Sequence, residues 1–265
     1  MQRWRVRLLF AAIVIVAYVA VSNRQGVPAA PAIANPQRNA SITQATWDTC
    51  VAGTADAGIP INEYPQSFND NSIVNTPACE AAVLADINKR HAAEGVAPMK
   101  LPGNFNSLSA AMQLVTVVNA ERASRHLPTF SGIVASLDRD SLLAARGGVD
   151  PNPSKGDGNW SEYNSIWAGG YQSALMADFD WMYNDGWGGN SANTINVDCK
   201  SARDQSCWGH RDAILANYAL EPGEVLVAGG AVVTTGPPTL SLPSWAAAFE
   251  SVPRSDISIA EQVAP

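Results

Sequence analysis

The chain has 265 residues, with 24 acidic against 17 basic side chains and a formal charge of −7, which excludes the basic surface that nucleic-acid binding requires. A composition that is 46% hydrophobic and 15% charged can bury a core, while 17 prolines and 20 glycines imply long irregular connections between short elements. Three histidines (His91, His126, His210) and four cysteines leave little material for a multi-histidine metal centre.

Arg3, Arg5 and Arg7 precede an uncharged run from Leu8 to Ser22, the layout of a secretory signal with a basic leader and an apolar stretch. The run is short against the roughly 20 residues that span a bilayer as a helix. A cleaved signal over residues 1–22 is therefore expected, with an uncleaved anchor over residues 8–22 as the alternative and the one membrane attachment. Its removal deletes three arginines and no acid, leaving a charge of −10 on a secreted or extracytoplasmic chain. An even set of cysteines suits an oxidising compartment. The pairs Cys50–Cys79 and Cys199–Cys207 each bracket a turn-rich segment that a bridge would restrain. No CxxC occurs, so neither a metal nor a cofactor is expected.

Residues 23–45 read as a mobile linker, 46–106 as an extended arm with an accessory helix, 107–251 as the main domain and 252–265 as a tail. The arm, Trp47 to Pro77, is rich in Asn, Pro, Gly and Asp. Helical periodicity follows over Ala78–Glu94, stopped by Gly95 and Pro98, with His91 expected to be solvated. Further helices are predicted from Ser107 to about Arg125, over Ile133–Arg146 before Gly147-Gly148, and over Ser173–Tyr183. Val225–Thr235 and Ser244–Ser251 read as a β-hairpin, with Tyr163–Ala168 a third strand. Helices that precede and interrupt a small sheet argue for an α+β fold over a doubly wound one.

No GxSxG, HExxH, GxxxxGK[ST] or complete EF-hand loop is present. Asp150, Asn152, Ser154 and Gly156 alternate like a calcium loop but put glycine at the seventh position and Ser161 where a bidentate Glu belongs; a turn-rich loop is expected. Cys207-Trp208-Gly209-His210-Arg211-Asp212 is the most informative stretch. Glycine allows close backbone approach, and a histidine opening a helix tends to stay neutral.

The segments Gly209–Leu215, Leu114–Arg122 and Ser165–Gly170, followed by Trp181-Met182, occur in the order seen in the CAP superfamily (cysteine-rich secretory, antigen 5 and pathogenesis-related proteins), whose bacterial secreted branch the chain resembles over roughly Leu108–Phe249. The resemblance implies an α-β-α sandwich with a small antiparallel sheet between helical layers. It also implies a cleft in which two histidines meet two acids. His210 matches one histidine. The acid ahead of the Ile166 strand is replaced by Asn164, and Glu162 lies two residues earlier on the same strand face. The second histidine has no counterpart: Gly147-Gly148-Val149-Asp150-Pro151 stands in its place. Asp185 is a loose match for the second acid.

The expected cleft therefore joins His210 to Asn164 or Glu162, with Trp160, Trp187 or Trp208 as walls and the Tyr183–Ser206 loop as one rim. A two-histidine metal site cannot be assembled from the matched positions. Two functions remain open: non-catalytic binding of a small apolar or amphipathic ligand, a glycan, or an envelope or host protein; and hydrolysis with His210 as general base. The sequence shows no nucleophile in a recognisable elbow.

Overall fold

The computed structural model describes residues 33–51, 73–154, 156–189, 196, 198–204, 206–234 and 243–263. The expected export segment and the first part of the linker, residues 1–32, lie outside the described residues.

Among the described residues six helices accompany one sheet: α1 (Gln44–Cys50), α2 (Pro77–Glu94), α3 (Ala110–Ser124), α4 (Ala135–Gly147), α5 (Ala174–Tyr183) and α6 (Gly209–Ile214). Four of them open on a hydroxyl. Thr43, Thr76, Ser109 and Ser173 each accept the N–H three residues on, a cap that stabilises a helix by about 1 kcal/mol. Gly95 and Gly148 close α2 and α4 in the left-handed region, at φ 72° and 69°, where a side chain would be strained.

The strands are β1 (Gly132–Ile133), β2 (Glu162–Gly169), β3 (Glu224–Val233), β4 (Ser244–Pro253) and β5 (Glu261–Gln262), in the spatial order β2-β4-β3-β1-β5. The predicted hairpin is β3–β4, and the predicted third strand, β2, pairs antiparallel with β4. The sheet is mixed, because β1 runs parallel to β3.

Period-two alternation assigns the faces. On β4, Ala247 and Phe249 join the large core with α2, α3, α5 and α6, while Ala248 and Val252 turn the other way and pack with Leu137 of α4. Among the described residues, α4 thus covers one face and the other five helices belong to the core on the opposite face, giving the α-β-α layering. Gly229 makes the close approach of α4 possible: a Cβ there would overlap the Leu137 and Asp138 backbone. Asp138 Oδ1 completes the contact by accepting the Gly230 N–H at 2.9 Å.

Both expected disulfides form, Cys50–Cys79 between α1 and α2 and Cys199–Cys207 ahead of α6. Several expectations need correction. Trp47 lies in a helix, fully buried, because Thr43 caps a turn that the Asn/Pro-rich surroundings obscured; the remainder of the arm, 52–72, lies outside the described residues. The end of the linker is docked: Ile42 is buried, and the Ala40 and Thr43 N–H groups donate to Tyr183 O at 2.6 Å and Asp86 Oδ2 at 2.9 Å. The tail contributes β5, which pairs with β1.

The largest correction concerns His91, which is fully buried and sets its Nε2 2.9 Å from Glu121 Oε2. Glu121 also takes hydrogen bonds from Arg125 and from the Tyr183 hydroxyl. Glu94 receives Arg125 at 2.5 Å and Arg211 at 3.0 Å, and Arg211 donates to Met182 O at 2.7 Å. Burial alone would raise the Glu121 pKa, yet the hydrogen bond from His91 and the charge of Arg125 hold it below the ordinary value. The network ties α2 to α3, α5 and α6, so the accessory helix is part of the same body.

Candidate functional site

His210 is positioned by three local features. The Cys199–Cys207 bridge closes the loop before it. Trp208 then adopts a left-handed conformation, φ 69°, which is costly for a bulky residue by roughly 1–3 kcal/mol and persists only where the surroundings over-determine it. They do so here: the indole is buried beside Gly186, whose missing side chain leaves the space that the ring fills, and the Trp208 N–H donates to Asp185 O at 3.2 Å.

Asp185 follows the end of α5 and grips the start of α6 with both oxygens. Oδ2 accepts the His210 backbone N–H at 3.1 Å, and Oδ1 lies 3.1 Å from the imidazole Nδ1. Asp150, in the loop after α4, brings Oδ1 to 3.4 Å from Nε2. The imidazole is thus held between two carboxylates, one nearly buried and one half exposed, and keeps 25% of its own surface open. Burial opposes its charge, but the hydrogen bonds and charges of Asp150 and Asp185 outweigh burial and raise its pKa to about 10. A helix start favouring a neutral ring is overridden, and His210 is an imidazolium at neutral pH. Behind it Asp180 is buried, and burial and the Asp185 charge push its carboxyl up to about 7.

The sequence-predicted partners lie elsewhere. Asn164 Nδ2 donates to the Tyr218 hydroxyl at 3.2 Å, and Glu162 Oε1 accepts the Ala219 N–H at 3.1 Å; both side chains share the β2 face that packs toward α6. They fasten the segment after α6, and the groups hydrogen-bonded to His210 are the two aspartates. Trp160 is 41% exposed and inclines over Tyr163, on the α4 side of the sheet. Trp208 is the buried wedge described above, and Trp187 packs against it and the bridge. The partner that sequence reasoning missed is Asp150. Its signal was positional, since it stands where the resemblance calls for a histidine.

A second feature is a groove beside α3. It has a volume of about 770 Å³ and runs between the segment 97–108 and the outer face of α3, with walls that include Met99, Leu101, Leu108, Met112 and Ala120 and a polar rim that includes Lys100 and Ser124. Its volume and mostly apolar lining are those of a small-molecule pocket. Among the described residues, no three His, Cys, Asp or Glu side chains converge as a metal-holding set, and no helix is long and apolar enough to cross a membrane. No family model, curated protein or solved structure matches the chain.

Proposed function

We propose that the chain is an exported CAP-type domain that binds a small apolar or amphipathic ligand without turning it over. The observation that carries this reading is the 770 Å³ groove against α3, walled by methionine and leucine side chains and rimmed by polar groups. Flexible thioethers and aliphatic walls accommodate an apolar body, and the rim solvates a polar head. Export is supported by the basic-then-apolar amino end and by two disulfides. The chain-order resemblance and the α-β-α layering support CAP-type membership.

The geometry at His210 favours this reading over the hydrolase alternative. A general base must be unprotonated to accept a proton, whereas the hydrogen bonds and charges of Asp150 and Asp185 raise the His210 pKa and favour its charged form. Both of its nitrogens also face carboxylates.

The test is native mass spectrometry of protein recovered from its producing cells, with and without Ala123→Trp, a substitution that fills the groove from an exposed helix position. The reading expects a co-purified apolar molecule that the variant loses and that His210→Ala retains. Protein free of any such molecule, together with no binding of a medium-chain detergent such as dodecyl maltoside below its micelle concentration, overturns it.

A further inference from the structure

On the α4 side of the sheet lies a group of acids that the groove and the His210 cleft do not use. Glu250 sits on β4 directly across from Tyr163 of β2 and beside Val227 of β3. It is fully buried, and neither carboxyl oxygen has a hydrogen-bond partner. Asp140 of α4 is 6% exposed, with Oδ2 also unpartnered, and the buried Tyr163 hydroxyl has no partner either. Asp157 completes the group from the loop after α4. It is fully buried and accepts the Ser154 N–H at 2.5 Å and the Ser154 hydroxyl at 3.2 Å.

Three buried carboxyl groups on one spot cannot all be ionised, because each charge raises the cost of the next in a medium of low permittivity. The groups that face the cluster do not cancel that charge. From α4 comes Arg139, itself largely exposed, with Nε 4.0 Å from Asp140 Oδ1. The loop contributes Asp150 and Asp157, β2 contributes only the phenol of Tyr163, and β3 presents Val227. Across the sheet, the Tyr218 phenol also senses Glu250. Lys155 lies outside the described residues.

We propose that Asp140 and Glu250, packed around the buried Asp157, form a proton-held latch: while these two are protonated they keep the loop that bears Asp157 and Asp150 seated on the sheet, and when they release their protons the loop lifts and Asp150 leaves His210. The geometry supplies the lever, since Asp157 and Asp150 belong to one short connection between α4 and β2, and Asp157 is the group of that connection buried among the other acids. The protonation states fit. Burial, then the charges of Asp157 and Asp140, raise Glu250 to about 8, and burial and Asp157 raise Asp140 as well. Release by Glu250 therefore falls in the mildly alkaline range.

The test is hydrogen exchange of peptides covering residues 148–161 in the full chain, corrected for the intrinsic pH dependence, across pH 6 to pH 9.5. The wild type should lose at least tenfold protection in this segment above about pH 8, while Glu250→Gln, a neutral isostere, retains it. Should that variant fail to fold, infrared spectra of the wild type serve instead: protonated-carboxyl bands at neutral pH that vanish on alkalisation support the latch. Protection independent of pH, or no protonated carboxyl at neutral pH, overturns it. Restoration of protection at pH 9 by millimolar calcium in place of protons also overturns it, by making the cluster a cation site.

Discussion

Asp185 holds His210 at two points, the backbone N–H through Oδ2 and the imidazole Nδ1 through Oδ1, each at 3.1 Å. One carboxylate therefore both caps the start of α6 and, with Asp150, favours the charged form of His210. The two roles can be separated. Asp185→Asn keeps an acceptor for the backbone and removes the charge, so it should lower the His210 pKa and lose the stability that this charge contributes near neutral pH. Asp185→Ala removes both, leaves the His210 N–H without this partner and should cost about 1–3 kcal/mol. Urea denaturation of the two variants checks the difference.

The pH dependence has a definite sign. A histidine whose pKa is about 10 in the folded chain against 6.5 in the unfolded one binds its proton more tightly when folded. Its contribution is complete below about pH 6.5 and is lost as pH rises through 10. Thermal melts of His210→Gln should show a flatter profile than the wild type between those limits. Glu250 acts in the same direction but earlier, from its ordinary value of 4.5 to about 8, so Glu250→Gln should flatten the lower part of the curve only.

The two bridges should differ in worth. With a sequence separation of 29 for Cys50–Cys79 and 8 for Cys199–Cys207, loop-closure entropy gives about 3.5 and about 2.5 kcal/mol respectively. Double serine variants measured by chemical denaturation should follow that order. The Cys199/Cys207 variant should in addition change the His210 resonance, because that bridge holds the turn ahead of it.

Much of the fold was legible because long helices and the β3–β4 hairpin carry their own periodicity and stop signals. The parts that escaped have physical causes. β1 and β5 are two residues each, too short for alternation to register. The α1 helix was hidden by its polar neighbours, although Thr43 is a capping residue three positions ahead of Thr46. His91 looked solvated because its partner, Glu121, belongs to another helix and no local pattern marks a pairing across helices. The site was half legible. His210 stood out by its Gly-His-Arg context, whereas Asp150 and Asp185 sit in loops whose approach to one imidazole depends on how α4, α5 and α6 end.

The His91–Glu121 pair gives a prediction of its own. Glu121→Ala leaves His91 and Arg125 without their buried carboxylate and should destabilise the chain by about 3–5 kcal/mol. Glu121→Gln, which keeps the volume and an acceptor, should cost less. Melting temperatures of the two variants check this order.

The claim that His210 is a charged clamp, and hence no general base, is tested most directly by an NMR titration of its imidazole nitrogens in the folded protein. Both nitrogens should remain protonated through pH 8, with an apparent pKa well above the ordinary 6.5 that falls on Asp150→Asn or Asp185→Asn. An imidazole that titrates near 6.5 and ignores both substitutions would contradict the account and return His210 to the candidates for proton transfer.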